Sequence, residues 1–219
     1  MARIARIVLP GRAHLVCQKS TRPIFGTVKR RQAFLEILGA CAAAYRIRLL
    51  AWSVLPNQVA LVVIPPSAAA FSGFMRVVQA RFTRRLHATG FSGEVTAGRF
   101  ASCPLDNPSA LEAIQYVEAL PVVRGLAERP AQYVYGSAAA REDGGADGML
   151  SVESEITGKV RNWAKRHAHP LPPERAAYLE QRLRTGKPAG ETIFIRRVER
   201  KVGMNLSRPR GRPPRRKKR

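Results

Sequence analysis

Two strand-like, largely apolar runs, Ile47 to Val54 and Val59 to Ile64, are separated only by Leu55-Pro56-Asn57-Gln58. The Pro-Asn pair reads as a turn, so the two runs form a strand pair, and Pro65-Pro66 ends the second strand. Every other element has to fit around that pair. Upstream, residues 12–18 read as a strand. Residues 29–46 carry Phe34, Leu35, Leu38, Ala42 and Tyr45 at helical spacing. Downstream, residues 69–88 form a second helix with Phe71, Phe74, Met75, Val78 and Phe82 on one stripe. Gly90 and Gly93 break it, and residues 99–105 read as a further strand. A third helix starts at Asn107-Pro108, with Asn as cap and Pro at the first helical position, and Pro121 limits it. Leu111, Ile114 and Val117 form its buried edge, while Tyr116 shares another face with Glu112 and Leu120. The order predicts an α+β fold: an antiparallel sheet of residues 12–18, 47–54, 59–64 and 99–105 with the helices packed on one face.

An acidic, glycine-rich stretch, REDGGADG from Arg141 to Gly148, then divides the chain. We expect one unit over 1–140, a linker at 141–150, a helical extension over 151–206, and a basic tail at 207–219. Within the extension, helix is expected in two pieces across 151–184, broken at Pro170, Pro172 and Pro173, with a shorter helix over 191–204.

Charge narrows the function classes. Thirty-eight Lys and Arg face fifteen Asp and Glu, a net charge of +23, which favours a polyanionic partner, with nucleic acid expected ahead of a membrane-surface or ribosome-associated role. The last twelve residues, RPRGRPPRRKKR, hold eight basic residues and cannot build a core. Arg208, Arg210, Arg212, Arg215 and Arg216 in this tail, with Arg76, Arg84, Arg85 and Arg99, are the candidate nucleic-acid contacts. Residues 210–213, Arg-Gly-Arg-Pro, suit entry into an A·T-rich minor groove. Cys17, Cys41 and Cys103 form no CxxC and are odd in number, so a reducing compartment and a cytoplasmic location are expected. No apolar run approaches a membrane span, and the N-terminal stretch is too short for a signal peptide.

Several segments taken together resemble the REP-associated tyrosine transposases, of the HUH class of single-strand DNA endonucleases. They are PGRAHLV (10–16), RPIF (22–25), AWSVLPNQVALVVIP (51–65), GRFASCPLD (98–106), YVEALPVVRGLAERPAQY (116–133) and LRTGKPAGETIFI (183–195). The resemblance implies a ferredoxin-like domain that cuts and rejoins single-stranded DNA beside hairpins. In the family, two histidines one residue apart hold a divalent metal, Mg or Mn, and a tyrosine attacks the phosphorus. Tyr116 stands at the nucleophile position. Gln58 and Ala60 stand where the family has its histidines, and Leu120 where a further ligand sits one turn after the tyrosine. Alanine and leucine have no donor atom and glutamine offers only a neutral oxygen, so no cofactor is expected. Glu112, His14 and Gln58 are the nearest to a substitute set. The family's tryptophan before GRF is also missing, with Thr96 and Ala97 there.

These features lead to the expectation of a DNA-binding protein of this family without cleavage activity. Its expected partner is single-stranded or hairpin DNA, with a homodimer as a further candidate. Two rivals are an active endonuclease using Tyr116 and an RNA-binding module. The second lacks evident stacking aromatics on neighbouring strands.

Overall fold

The computed structural model describes residues 6–145, 148–151 and 155–206. Its centre is a four-stranded antiparallel sheet in the order β2-β3-β1-β4, from β1 (His14–Lys19), β2 (Arg48–Leu55), β3 (Gln58–Ile64) and β4 (Ala101–Pro104). Helix α1 (Val28–Ala44) leads from β1 to β2, and α2 (Ala68–Ala88) from β3 to β4. Both begin at a hydroxyl cap, where Thr27 accepts from the Arg30 amide and Ser67 from the Ala70 amide. This is the ferredoxin-like arrangement expected from the sequence.

Helices α1 and α2 cover one face of the sheet, where Phe34, Leu38, Phe71, Phe74, Met75, Val78 and Phe82 meet Val59, Leu61 and Val63. The second face is covered as well. Ala60, Val62, Ile64 and Leu15 pack there against Ala110, Ala113, Ile114 and Val117 of α3 (Asn107–Val123) and Leu179 of α6 (Pro173–Thr185). The two clusters follow the period of two along β3, which explains why β3 is apolar throughout. A register shift between Leu49 and Ala51 lets Leu50 and Ala51 both reach the α3 side.

Helix α3 differs from the sequence reading at both ends. Its cap is Asp106, whose carboxylate accepts from the Ser109 amide at 2.9 Å, so Asn107 is already helical. Pro121 does not stop the helix, which continues to Val123. Proline leaves the carbonyl four residues back without its helical donor, and here the buried Ser53 hydroxyl donates to the Val117 carbonyl at 2.8 Å. The sheet supplies the bond that the helix cannot make.

A short 3-10 turn (Pro130–Gln132) and α4 (Ala138–Glu142) carry the chain back to β2, where Gly136 bridges Ser53. Leu150, within the expected linker, is buried and bridges Leu49, so described residues of that stretch lie along the edge of β2. Among the described residues of the first expected piece of the extension, helix is confined to α5 (Trp163–His167), which starts where the Asn162 side chain accepts from the Lys165 amide at 2.7 Å. Helix α6 packs on β4, β1 and α3, and α7 (Thr192–Val202) packs Val198 against Ile7 and Leu9.

Candidate nucleic-acid interface

The pairing of β1 with β3 places Cys17 opposite Ala60 and Lys19 opposite Gln58. Gln58 and Ala60 share a sheet face, as alternation requires, and it is the face that carries α3. Their surroundings differ. Gln58 lines a cleft of about 530 Å³, whereas Ala60 and Leu120 are sealed in the apolar cluster beneath α3. Of the three ligand positions implied by the resemblance, only Gln58 faces the cleft.

Tyr116 lines the same cleft, and its hydroxyl donates to Glu180 Oε1 of α6 at 2.9 Å. Burial first, and the neighbouring Glu180 carboxylate next, push the phenol above its ordinary pKa. That is the reverse of what activates a nucleophile. Cys17 at the cleft floor is pushed up to about 11, mainly by burial, and is a neutral thiol. Positive charge comes from Lys19, Arg99, Arg124 and Arg184, all of which line the cleft.

This donor set does not fit a divalent metal ion. It offers two neutral amides, Gln58 and Gln181, one neutral thiol, a phenol and a single carboxylate already bonded to that phenol, inside a ring of cations. Among the described residues no group of three His, Cys, Asp or Glu side chains is placed to hold an ion. The substitute set is also dispersed. His14 lies on the opposite face with its ring 5.5 Å from that of Phe71, and Glu112 is paired with Arg175 through contacts of 2.5–3.1 Å.

A second, open groove of about 770 Å³ runs along α2 and brings together Arg76, Arg84 and Arg99. Arg85 is exposed on α2 but does not line it. Arg99 borders both hollows. Arg208, Arg210, Arg212, Arg215 and Arg216 lie outside the described residues.

The structure adds residues that the sequence reading missed. Arg6 lines the α2 groove with its guanidinium 3.5 Å above the Phe100 ring. Lys19, Arg124, Glu180 and Arg184 line the cleft. One signal for the last pair was available: Ala177, Glu180, Gln181 and Arg184 fall at i, i+3, i+4 and i+7, a single helical face, and all four line the cleft. Nothing in the sequence says what that face meets.

Glu118, two residues after Tyr116, does a different job. Its buried carboxylate takes the Arg141 guanidinium at 2.8 Å, the Ser137 hydroxyl at 2.5 Å and the His167 imidazole at 2.8 Å. This knot ties α3 to α4 and α5 and keeps Glu118 away from the cleft.

No family model matches the chain, and no curated protein matches it. Solved structures do. One is a REP-associated tyrosine transposase bound to a REP hairpin, at 17% identity and a TM-score of 0.56, covering 74% of this chain and 97% of that one. Another is a Deinococcus radiodurans chain described as a candidate transposase, at 17% identity and a TM-score of 0.37, covering 54% of this chain and 96% of that one. At such identity a likeness speaks for architecture, and only the first alignment is close enough to use. The protein has the α+β fold of the hairpin-bound REP-associated tyrosine transposase.

Proposed function

We propose that the protein binds single-stranded or hairpin DNA and does not cleave it, as a tyrosine transposase relative that has lost its metal ligands. The observation that carries this reading is the cleft itself. It keeps Tyr116 among four cations, while the neighbouring ligand positions hold Gln58 and two buried apolar side chains, Ala60 and Leu120. Phosphate binding needs the cations. Phosphoryl transfer also needs the charge that builds on the phosphoryl oxygens to be met by well-aimed donors, and the metal that supplies this in the family has no donor set here. The likeness to a transposase solved with its hairpin supports DNA as the polyanion. An intracellular location follows from that partner, and no described helix is long and apolar enough to cross a membrane.

A second reading has one observation in its favour. The Tyr116–Glu180 bond is the geometry of a nucleophile beside a general base. The two readings separate on paired native and denaturing gels of wild type and Tyr116→Phe with labelled hairpin DNA, in Mg²⁺ and in Mn²⁺. The expected result is a native shift with both proteins and no covalent adduct with either. A metal-dependent adduct in wild type that vanishes in Tyr116→Phe would establish an active nuclease.

A further inference from the structure

We infer that the cleft is a metal-independent phosphodiester site for single-stranded DNA, with Lys19 supplying at the Gln58 position the positive charge that the donor set cannot recruit as a metal ion. This rests on the DNA-binding reading above and names its site.

Lys19 and Gln58 are directly opposed on β1 and β3, and residues so placed have Cβ atoms roughly 5 Å apart. Both line the cleft. Gln58 is more than nine-tenths buried, yet its side-chain amide has no hydrogen-bond partner among the described residues. An amide carries two donor hydrogens and an acceptor oxygen, and those of Gln58 are not among the sealed polar atoms of the described residues, so they open to the cleft and are free to take a ligand. A phosphate oxygen at the cleft floor accepts from that amide and sits beside the Lys19 ammonium. Lysine binds phosphate as a point charge and needs no fixed approach.

The remaining cations complete the site. Arg99, Arg124 and Arg184 arrive from three separate segments, and neither they nor Lys19 make a side-chain ion pair or hydrogen bond among the described residues. Four free cations close together repel one another, and an anion between them relieves that repulsion. The lone carboxylate, Glu180, is turned to the Tyr116 hydroxyl. At about 530 Å³ the cleft has the capacity of a small-ligand site, which suits a phosphodiester of one strand.

The test is fluorescence anisotropy of the full chain with a labelled hairpin bearing a single-stranded flank, over a range of salt, in EDTA and in Mg²⁺. Wild type is expected to bind equally in both. Lys19→Ala should weaken binding, and lower the slope of log affinity against log salt by about 0.7, the value for one phosphate contact on a single strand. Lys19→Arg should restore the slope. Glu180→Gln, which removes the one negative charge, should bind more tightly than wild type, a gain that misfolding cannot imitate. Binding abolished by EDTA overturns the inference. So does an unchanged slope in Lys19→Ala while Arg76→Ala weakens binding, because the strand then lies in the α2 groove and the DNA-binding reading survives. A wild type that binds no DNA overturns the reading and the inference together.

Discussion

Two buried histidines pull the stability of this protein in opposite directions with pH. His14 accepts at Nε2 from the Leu9 amide and donates from Nδ1 to the Arg12 carbonyl, which fixes it as a neutral ring. Burial lowers its pKa from 6.5 to about 4. The unfolded chain therefore takes up this proton first, and stability is lost as pH falls from 6.5 towards 4. The difference of about 2.5 units corresponds to roughly 3 kcal/mol at most. His167 behaves oppositely. Burial opposes its charge, but hydrogen bonds to Glu118 and Glu142 win and raise its pKa, in a pocket that Arg141 also enters. Its contribution is full below the ordinary histidine value and fades as pH rises through the raised one. Urea unfolding from pH 4.5 to 8 should show a shallower acid limb in His14→Gln and a shallower alkaline limb in His167→Gln. Limbs that keep their slopes would assign the pH dependence to other groups.

Among the elements, α3 makes the sharpest prediction. Ser53→Ala removes the hydroxyl donor to the Val117 carbonyl and should cost about 1–3 kcal/mol. Pro121→Ala returns a backbone donor to that carbonyl, so Ser53→Ala should cost far less in a Pro121→Ala background. Equal costs in the two backgrounds, from denaturant midpoints, would show that the serine acts elsewhere. The same helix marks what the sequence could tell. The apolar runs either side of the Pro-Asn turn and the apolar stripes of α1 and α2 gave strands and helices to within one or two residues, because each pattern is local. The end of α3 was misjudged because Pro121 is excused by a serine 64 residues from the carbonyl it bonds. Its start slipped by one because Asp106 and Asn107 are both good caps, and Asp106 also receives the Glu191 amide. The site divides in the same way. Tyr116, Gln58 and Ala60 were legible as positions on a resemblance. Glu180 was not, because a tyrosine and a glutamate 64 residues apart meet only once α6 has packed.

For the molecule as a whole, the +23 charge has to be carried partly by residues 207–219, which hold eight basic side chains. Truncation after Leu206 should weaken binding on every DNA sequence and lower the salt slope by several contacts' worth. A loss confined to A·T-rich duplex would instead place the tail in a minor groove, and an unchanged slope would show that it does not touch phosphate.

Helix α6 also bears on how the chain is made. Leu179, fully buried, closes the cluster that α3 begins, and it follows the last residue of α3 by 56 residues, 179 − 123. At ~5–20 residues per second, translation takes roughly 3–11 s to cover that interval. For that time the newborn protein presents the flank of α3 and β4 uncovered, greasy and bordered by Lys19, Arg99 and Arg124, to a cell full of RNA. The amount of intact protein a cell obtains should thus depend on how fast the ribosome reads the stretch between Val123 and Leu179.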